Sequence, residues 1–396
     1  MLAAQVTEFH KPYKVHKVPV PSELGPHDLL IKVAVASLCH TDFMVSEGIM
    51  GTSLPCTGSH EGAGTVVAVG SSVSGFQPGD RVMAGIIYAP CGTCPDCLGP
   101  ENYSQYCARS GGYLGVTTHG HFAEYARIDA RTAAVLPDKV SFETAAPLAC
   151  AGITIYRGVL LSGVKKGEWL AMTGSGGGLG HLGVQFAKAL GLNVVGIDAR
   201  DEGLQLTQQG GADVVVDARK GHDEVVKQIH AVTNGEGVTC TLNVSDAADA
   251  MKTACAVTKM HGTVIQIAQV RVPQSATPTM KKPLTKSFPL TTYPQSNHSS
   301  PLQPDNVTIP FQELIFRDIR VRGSLISSPE EARQMLQLVA EHGISVNANP
   351  FNGLDEIEEL VSLAESGKMK GKGIIIMDRE QIRKERENVG GKERLA

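Results

Sequence analysis

Cys39 and His60 are the first residues of this chain that could do metal chemistry together. They stand in Cys39-His40-Thr41-Asp42 and in Gly58-Ser59-His60-Glu61-Gly62-Ala63-Gly64. A thiolate and an imidazole suit a borderline-soft cation such as zinc. Two ligands leave a tetrahedron half filled, and taken alone the pair reads more readily as a buried cysteine and an unrelated histidine. The remaining ligands must come from elsewhere in the chain.

A second cluster needs no outside help. Cys91-x2-Cys94-x2-Cys97, followed by Cys107, offers four thiolates. Four thiolates close a tetrahedron and leave no position for substrate, so this zinc would be structural. It would staple a Gly- and Pro-rich loop, residues 91–107, that has little core of its own.

The third constellation is the turn Gly174-Ser175-Gly176-Gly177-Gly178-Leu179-Gly180. An apolar strand at 169–173 precedes it. Leu179, Leu182, Phe186 and Leu190 then fall at helical spacing, and Gly191 stands where that helix would end. The next strand, 193–197, leads into Asp198. Glycines of this kind let the backbone approach a pyrophosphate at a helix N-terminus, and the acidic residue takes the adenosine ribose hydroxyls. Asp198 would repel a 2′-phosphate and so favours NAD over NADP, with Arg200 as the neighbour that would suit the phosphorylated form.

The elements that must position these residues divide into two kinds. Up to about residue 150, short apolar runs (29–35, 64–70 and a turn-fed strand at 77–82) suggest an irregular β-rich unit. Beyond Gly152, strands at 169–173, 193–197, 214–216, 239–244 and 263–267 alternate with helical stretches, which predicts a parallel sheet with crossover helices. Helices are expected at 330–341 and 354–366, with a strand at 373–377. The charged tail, 379–396, is expected to fray as a surface helix or stay unstructured. Residues 270–303 fit neither pattern, being rich in Pro, Ser and Thr without periodicity. That block starts at Val270 and ends at Gln303, whose codons can carry the GT and AG of intron borders. It reads as a translated intron, with a real insertion as the alternative.

Composition narrows the class. The 396 residues, 42% hydrophobic and 19% charged with a net charge of −4, suit two globular domains and offer no field for nucleic acid or an anionic membrane. The sequence shows neither a secretory leader pattern nor an uninterrupted apolar run of bilayer length. Nine cysteines, four of them packed into residues 91–107, point to metal ligation in a reducing compartment. A cytoplasmic protein is expected.

In order and spacing, these motifs resemble those of the zinc-dependent alcohol dehydrogenases of the medium-chain dehydrogenase/reductase family. Ala146-Pro147-Leu148-Ala149-Cys150-Ala151-Gly152 joins the match, which covers nearly the whole chain. The resemblance implies an α/β protein: a β-rich GroES-like catalytic domain (1–155 and 325–396) around a Rossmann doubly wound parallel-sheet domain (156–324). It implies that Cys39, His60 and Cys150 bind a catalytic zinc, with Glu61 close behind the metal and Asp42 orienting His60. His40 and Lys372 would contact the cofactor pyrophosphate together with Gly176, Gly177, Gly178, Leu179 and Gly180. Thr41 would pass the alcohol proton towards the cofactor ribose. The implied reaction interconverts an alcohol with its aldehyde or ketone, by zinc-alkoxide formation and hydride transfer to nicotinamide. A homodimer or homotetramer is implied as well. The rivals are a polyol dehydrogenase, a biosynthetic carbonyl reductase and a catalytically impaired binding protein.

Three departures refine that picture. The far end of the proton relay, a histidine in relatives, is assigned here to Glu47. Nine residues separate Cys97 from Cys107, where relatives have about seven. Ile86, with Ile49 and Met50, would line a pocket without a large aromatic, which suggests a substrate bulkier than ethanol.

Overall fold

The long strand Asp28–Leu38 is apolar along nearly its whole length because neighbours cover it on both edges. Along one edge runs Glu61–Val69, antiparallel, with Ser37 opposite Glu61. The other edge is shared. Tyr125–Asp129 pairs with residues 28–32, and Lys372–Ile376 pairs with residues 35–38. Leu38 stands opposite Gly373 in that register. The segment entering Cys39 therefore lies between the strand that starts at Glu61 and the strand that starts at Lys372. A seven-stranded sheet results, built from both ends of the chain.

The computed structural model describes residues 1–269 and 307–393. The reading of 270–303 as an intron or an insertion lies outside the described residues. A second large sheet has six strands, every adjacent pair parallel. Its spatial order is Val214–Asp217, Asn193–Asp198, Trp169–Thr173, Val238–Asn243, Thr258–Gln266, Arg320–Gly323. Numbered along the chain this is 3-2-1-4-5-6, a doubly wound order whose switch point opens a ligand crevice at the carboxyl end of the first strand. The glycine turn leaves that end. Its helix runs Gly180–Ala189 and stops, as expected, at a left-handed Gly191 with φ +77°.

One expectation needs correction: the tail helix, Arg379–Glu393, is docked along one face rather than frayed at the surface. Ile382 and Glu385, three apart on one face, are 5% and 7% exposed. Ion pairs and hydrogen bonds dock this face: Glu385 to Arg81 and to the Phe142 N–H, and Gln381 to Thr65 at 2.6 Å. Phe142–Leu161, interrupted by Glu143 and Arg157, is a helical run long and apolar enough by composition to cross a bilayer. It is mostly buried within the protein, which accounts for its apolar character without a membrane.

Candidate active site

Ligand atoms of Cys39, His60, Glu61 and Cys150 all lie within 4.8 Å of one another. Each arrives by a different route. Cys39 precedes the helix His40–Ser46, in extended conformation at φ −123° and ψ 161°. His60 comes just before the strand Glu61–Val69. Cys150 lies in the π turn Leu148–Gly152, which interrupts the long apolar helix. There the Ile153 N–H reaches back to the Leu148 carbonyl, five residues earlier. The turn follows Pro147, which has no N–H to donate. Such turns recur at functional sites because the extra residue re-aims side chains.

Asp42 joins the first two routes. Its carboxylate accepts from the Cys39 N–H at 2.8 Å and the Ser59 N–H at 2.9 Å. It sits 3.9 Å from His60 Nδ1, too far for a hydrogen bond. The expectation that Asp42 orients His60 is therefore modified: Asp42 fixes the backbones that carry both ligands. His60 Nδ1 is buried and has no hydrogen-bond partner among the described residues.

The donor set fits zinc. Two thiolates and an imidazole match its preferences, and sulfurs about 3.8 Å apart would suit Zn–S bonds of ~2.3 Å. Within this cluster the charges are already sorted. The bond from Cys150 holds the Cys39 thiol well below its ordinary pKa against the opposing effect of burial, and Lys372 and His60 assist. The same bond to Cys39, with burial, lifts the Cys150 thiol. Burial pushes the His60 imidazole down, but Cys39 and Asp42 outweigh it and bring it to about 9.

Glu61 ties the third route to the rest. Its carboxylate meets the Lys372 ammonium at 2.9 and 2.7 Å and accepts the Ala151 N–H at 3.2 Å. Lys372 also donates to the Leu38 carbonyl at 2.8 Å and is 3% exposed. Its expected role as a pyrophosphate donor needs correction on this geometry. The amino group faces Glu61, and only the stem lies near the glycine turn, where a Cβ on Gly178 would come within 3.1 Å of Lys372 Cδ.

The cysteine lobe closes as its spacing suggested. Cys91, Cys94, Cys97 and Cys107 bring their sulfurs within 4.8 Å of one another. Between Cys97 and Cys107 the chain passes through a left-handed Asn102 (φ 47°) and the short 3-10 turn Ser104–Tyr106. A closed four-sulfur set of this kind fits a structural zinc.

At the cofactor turn, a Cβ on Gly176 would come within 2.0 Å of the Gly203 carbonyl, and one on Gly180 within 2.2 Å of the Gly174 carbonyl. Only glycine fits either place. Asp198 braces this turn, accepting the Gly176 N–H at 2.9 Å through one oxygen. The other oxygen accepts the Ala199 and Arg200 N–H groups at 2.9 and 3.0 Å. The Arg200 guanidinium turns to Asp198 and to the carbonyls of Gly176 and Gly367. Sequence reasoning passed over His181, whose Nδ1 donates to the Gly177 carbonyl at 2.9 Å while Nε2 accepts the Asn347 N–H at 3.3 Å. Its only signal was a histidine inside a glycine-rich turn.

The two expected relay residues sit at opposite ends of one short helix: Thr41 lies in the first turn of His40–Ser46, and Glu47 caps the far end. Glu47 is six residues on, roughly 9 Å along the helix. A relay between them would run by way of the cofactor ribose, as the resemblance implies, and not along the helix. Of the supposed pocket wall, Met50 packs against a small separate cluster with Val6, Val45 and Val116, and Ile49 is 39% exposed. Ile86, 6% exposed, faces the main core that Cys150 also touches.

Residues 25–138 match the alcohol dehydrogenase GroES-like domain, and residues 178–291 match the zinc-binding dehydrogenase domain. An alcohol dehydrogenase of Geobacillus stearothermophilus is 31% identical over 96% of this chain and its own whole length. One from Schizosaccharomyces pombe is 37% identical over 64% of this chain and 72% of its own. The crystal structure of an alcohol dehydrogenase from Aeropyrum pernix superposes with a TM-score of 0.78 at 27% identity. That match covers 95% of this chain and all of the other.

Proposed function

The chain belongs to the zinc-dependent alcohol dehydrogenases of the medium-chain dehydrogenase/reductase family and interconverts alcohols with aldehydes or ketones, and on that premise we propose that Cys39, His60 and Cys150 hold its catalytic zinc. The observation that carries this assignment is the meeting of their ligand atoms within 4.8 Å beside the glycine turn. When bound, zinc supplies a Lewis acid to the substrate oxygen, and a nicotinamide cofactor accepts or returns the hydride.

The chain's own groups do the rest. Asp42 holds the Cys39 and Ser59 backbones in place. Glu61 is kept near the ligands by Lys372. Thr41, at the mouth of its helix, carries the substrate hydroxyl proton outward. His40, exposed beside it, would contact the cofactor pyrophosphate. Gly176, Gly177, Gly178, Leu179 and Gly180 form the pyrophosphate cradle. Asp198, braced against that cradle, and Arg200, turned away to backbone carbonyls, both support NAD over NADP. Cys91, Cys94, Cys97 and Cys107 hold the structural zinc.

A homo-oligomer accompanies this reading. The edge strand Arg320–Gly323 is exposed throughout. Beside it the short helix Phe311–Phe316 exposes Phe311, Ile315 and Phe316 at 58%, 68% and 71% among the described residues. A strand edge without a partner among the described residues, flanked by apolar side chains, supports pairing of two copies there. All nine cysteines are unpaired, which supports a cytoplasmic location.

The experiment is NADH formation by the zinc-loaded protein with a panel of primary, secondary and aromatic alcohols, repeated after chelation. Zinc-dependent turnover is expected. Turnover that survives loss of the Cys39, His60 and Cys150 metal would overturn the assignment.

A further inference from the structure

Gln105 is 1% exposed, yet neither its Nε2 nor its Oε1 has a hydrogen-bond partner among the described residues. Burying an amide with both ends unmet is costly. The side chain borders a cavity of about 20 Å³, lined also by Ile86, Ile153, Ile326, Ser104 and Ser327. That is room for one hydroxyl-sized group. Three of the neighbouring hydroxyls are already engaged, and of the lining residues Gln105 is the one whose buried side-chain polar atoms lack partners among the described residues. Thr132 donates to the Ile87 carbonyl at 2.9 Å, Ser327 to the Ser328 carbonyl at 3.0 Å, and the Ser328 hydroxyl accepts the Glu331 N–H at 3.2 Å. Gln105 is thus the group that needs a partner.

Its chemistry limits the choice. A primary amide offers a donor and an acceptor side by side, and a hydroxyl answers both. A ketone or carboxylate only accepts, and an ammonium only donates. No charged side chain lines the cavity to balance an ion. The place is also close to the reacting centre. Ile153 directly follows the π turn that carries Cys150, three residues or about 4.5 Å of helix beyond it. On the other side, the Ala84 N–H bonds to the Gly62 carbonyl, one residue from Glu61.

We propose that Gln105 is a specificity-determining residue that takes a second hydroxyl of the alcohol substrate, so that the preferred substrates carry two hydroxyls a few carbons apart. This rests on the oxidoreductase reading above, and it names the substrate class for that same site. The other source of a hydroxyl is a permanently buried water, which would give no such preference.

The test compares straight-chain alkanols with terminal diols of equal carbon number, from three to six carbons, using the zinc-loaded full chain. Two readouts serve: kcat/KM with NAD, and the thermal shift each alcohol produces with NADH bound. The parent should favour the diol by about ten-fold or more at one chain length. Gln105→Leu should bring that ratio to about one, with zinc content confirming that the lobe is intact. Should the variant lose zinc, the ratio in the parent and in Gln105→Asn decides. No diol preference at any length, or a preference that Gln105→Leu leaves unaltered, overturns the proposal and leaves a buried water. Thermal shifts read diol binding even if no alcohol is oxidised, a result that would count instead against the oxidoreductase reading.

Discussion

The Lys372 ammonium lies 2.9 Å from one oxygen of Glu61 and 2.7 Å from the other, the two side chains 4% and 0% exposed. This pair joins the last strand of the β-rich sheet to the strand that starts at Glu61, and through the Ala151 N–H to the turn that holds Cys150. Burial lifts the Glu61 carboxyl to about 7, against the pull of Lys372. Burial pushes the Lys372 ammonium down, but Glu61 and Cys39 outweigh it and hold it above its ordinary value. Removing one member strands the other charge in the core. Lys372→Met should therefore lower stability by roughly 3–5 kcal/mol in denaturant titrations. The double variant Glu61→Gln, Lys372→Met should lose much less than the sum of the singles.

His181 makes stability depend on pH. It donates through Nδ1 and accepts through Nε2, so only the neutral ring satisfies both contacts. Burial brings its pKa down to about 4. In the unfolded chain it returns to an ordinary value of ~6.5. The unfolded state then binds the proton first, so this contribution is complete above about pH 6.5 and fades as pH falls towards 4. At full extent it amounts to roughly 3 kcal/mol. His121, also buried and brought down to about 4, acts in the same direction. Melting temperature measured across that window should fall less steeply for His181→Gln than for the parent.

The cysteine lobe depends on its metal. Cys107→Ala should reduce bound zinc from two per chain to about one by metal analysis. The melting temperature should fall as well, since the lobe has little apolar core of its own.

Proton movement should follow Thr41 and end at Glu47. Thr41→Ala is expected to lower kcat by about 10²-fold. Glu47→Gln should displace the inflection in the pH profile of alcohol oxidation. An unchanged profile in Glu47→Gln would remove that carboxylate from the relay.

Ile86 should set the room available to substrate. The parent is expected to turn over benzyl and longer-chain alcohols better than ethanol. Ile86→Trp should reverse that order, read as the ratio of kcat/KM values. A reversal would arise because the added ring fills apolar space close to Cys150.

Much of this protein is written in local spacing. The four cysteines of residues 91–107 lie on one short loop, so their separations alone imply a closed metal site. The glycine turn with Asp198 is likewise legible, because close backbone approach forbids any side chain at Gly176 and Gly180. Strand and helix alternation after Gly152 foretold the parallel sheet, since each element buries its own apolar pattern. Cys150 is different. By itself it is a small residue in an apolar helix, and only a π turn aims it at Cys39. Lys372 meets Glu61 across 311 residues, and Glu385 reaches Phe142 across 243. Contacts of that kind depend on which strands become neighbours and in what register, and no local pattern records it. The same holds for Gln105, ordinary in the chain and unpartnered only in the fold. What the sequence determined by itself were the ligand types and the cradle, because their chemistry is local. What the tertiary structure decided was which ligands meet and which polar groups are left facing them, because those follow from packing between segments far apart in the chain.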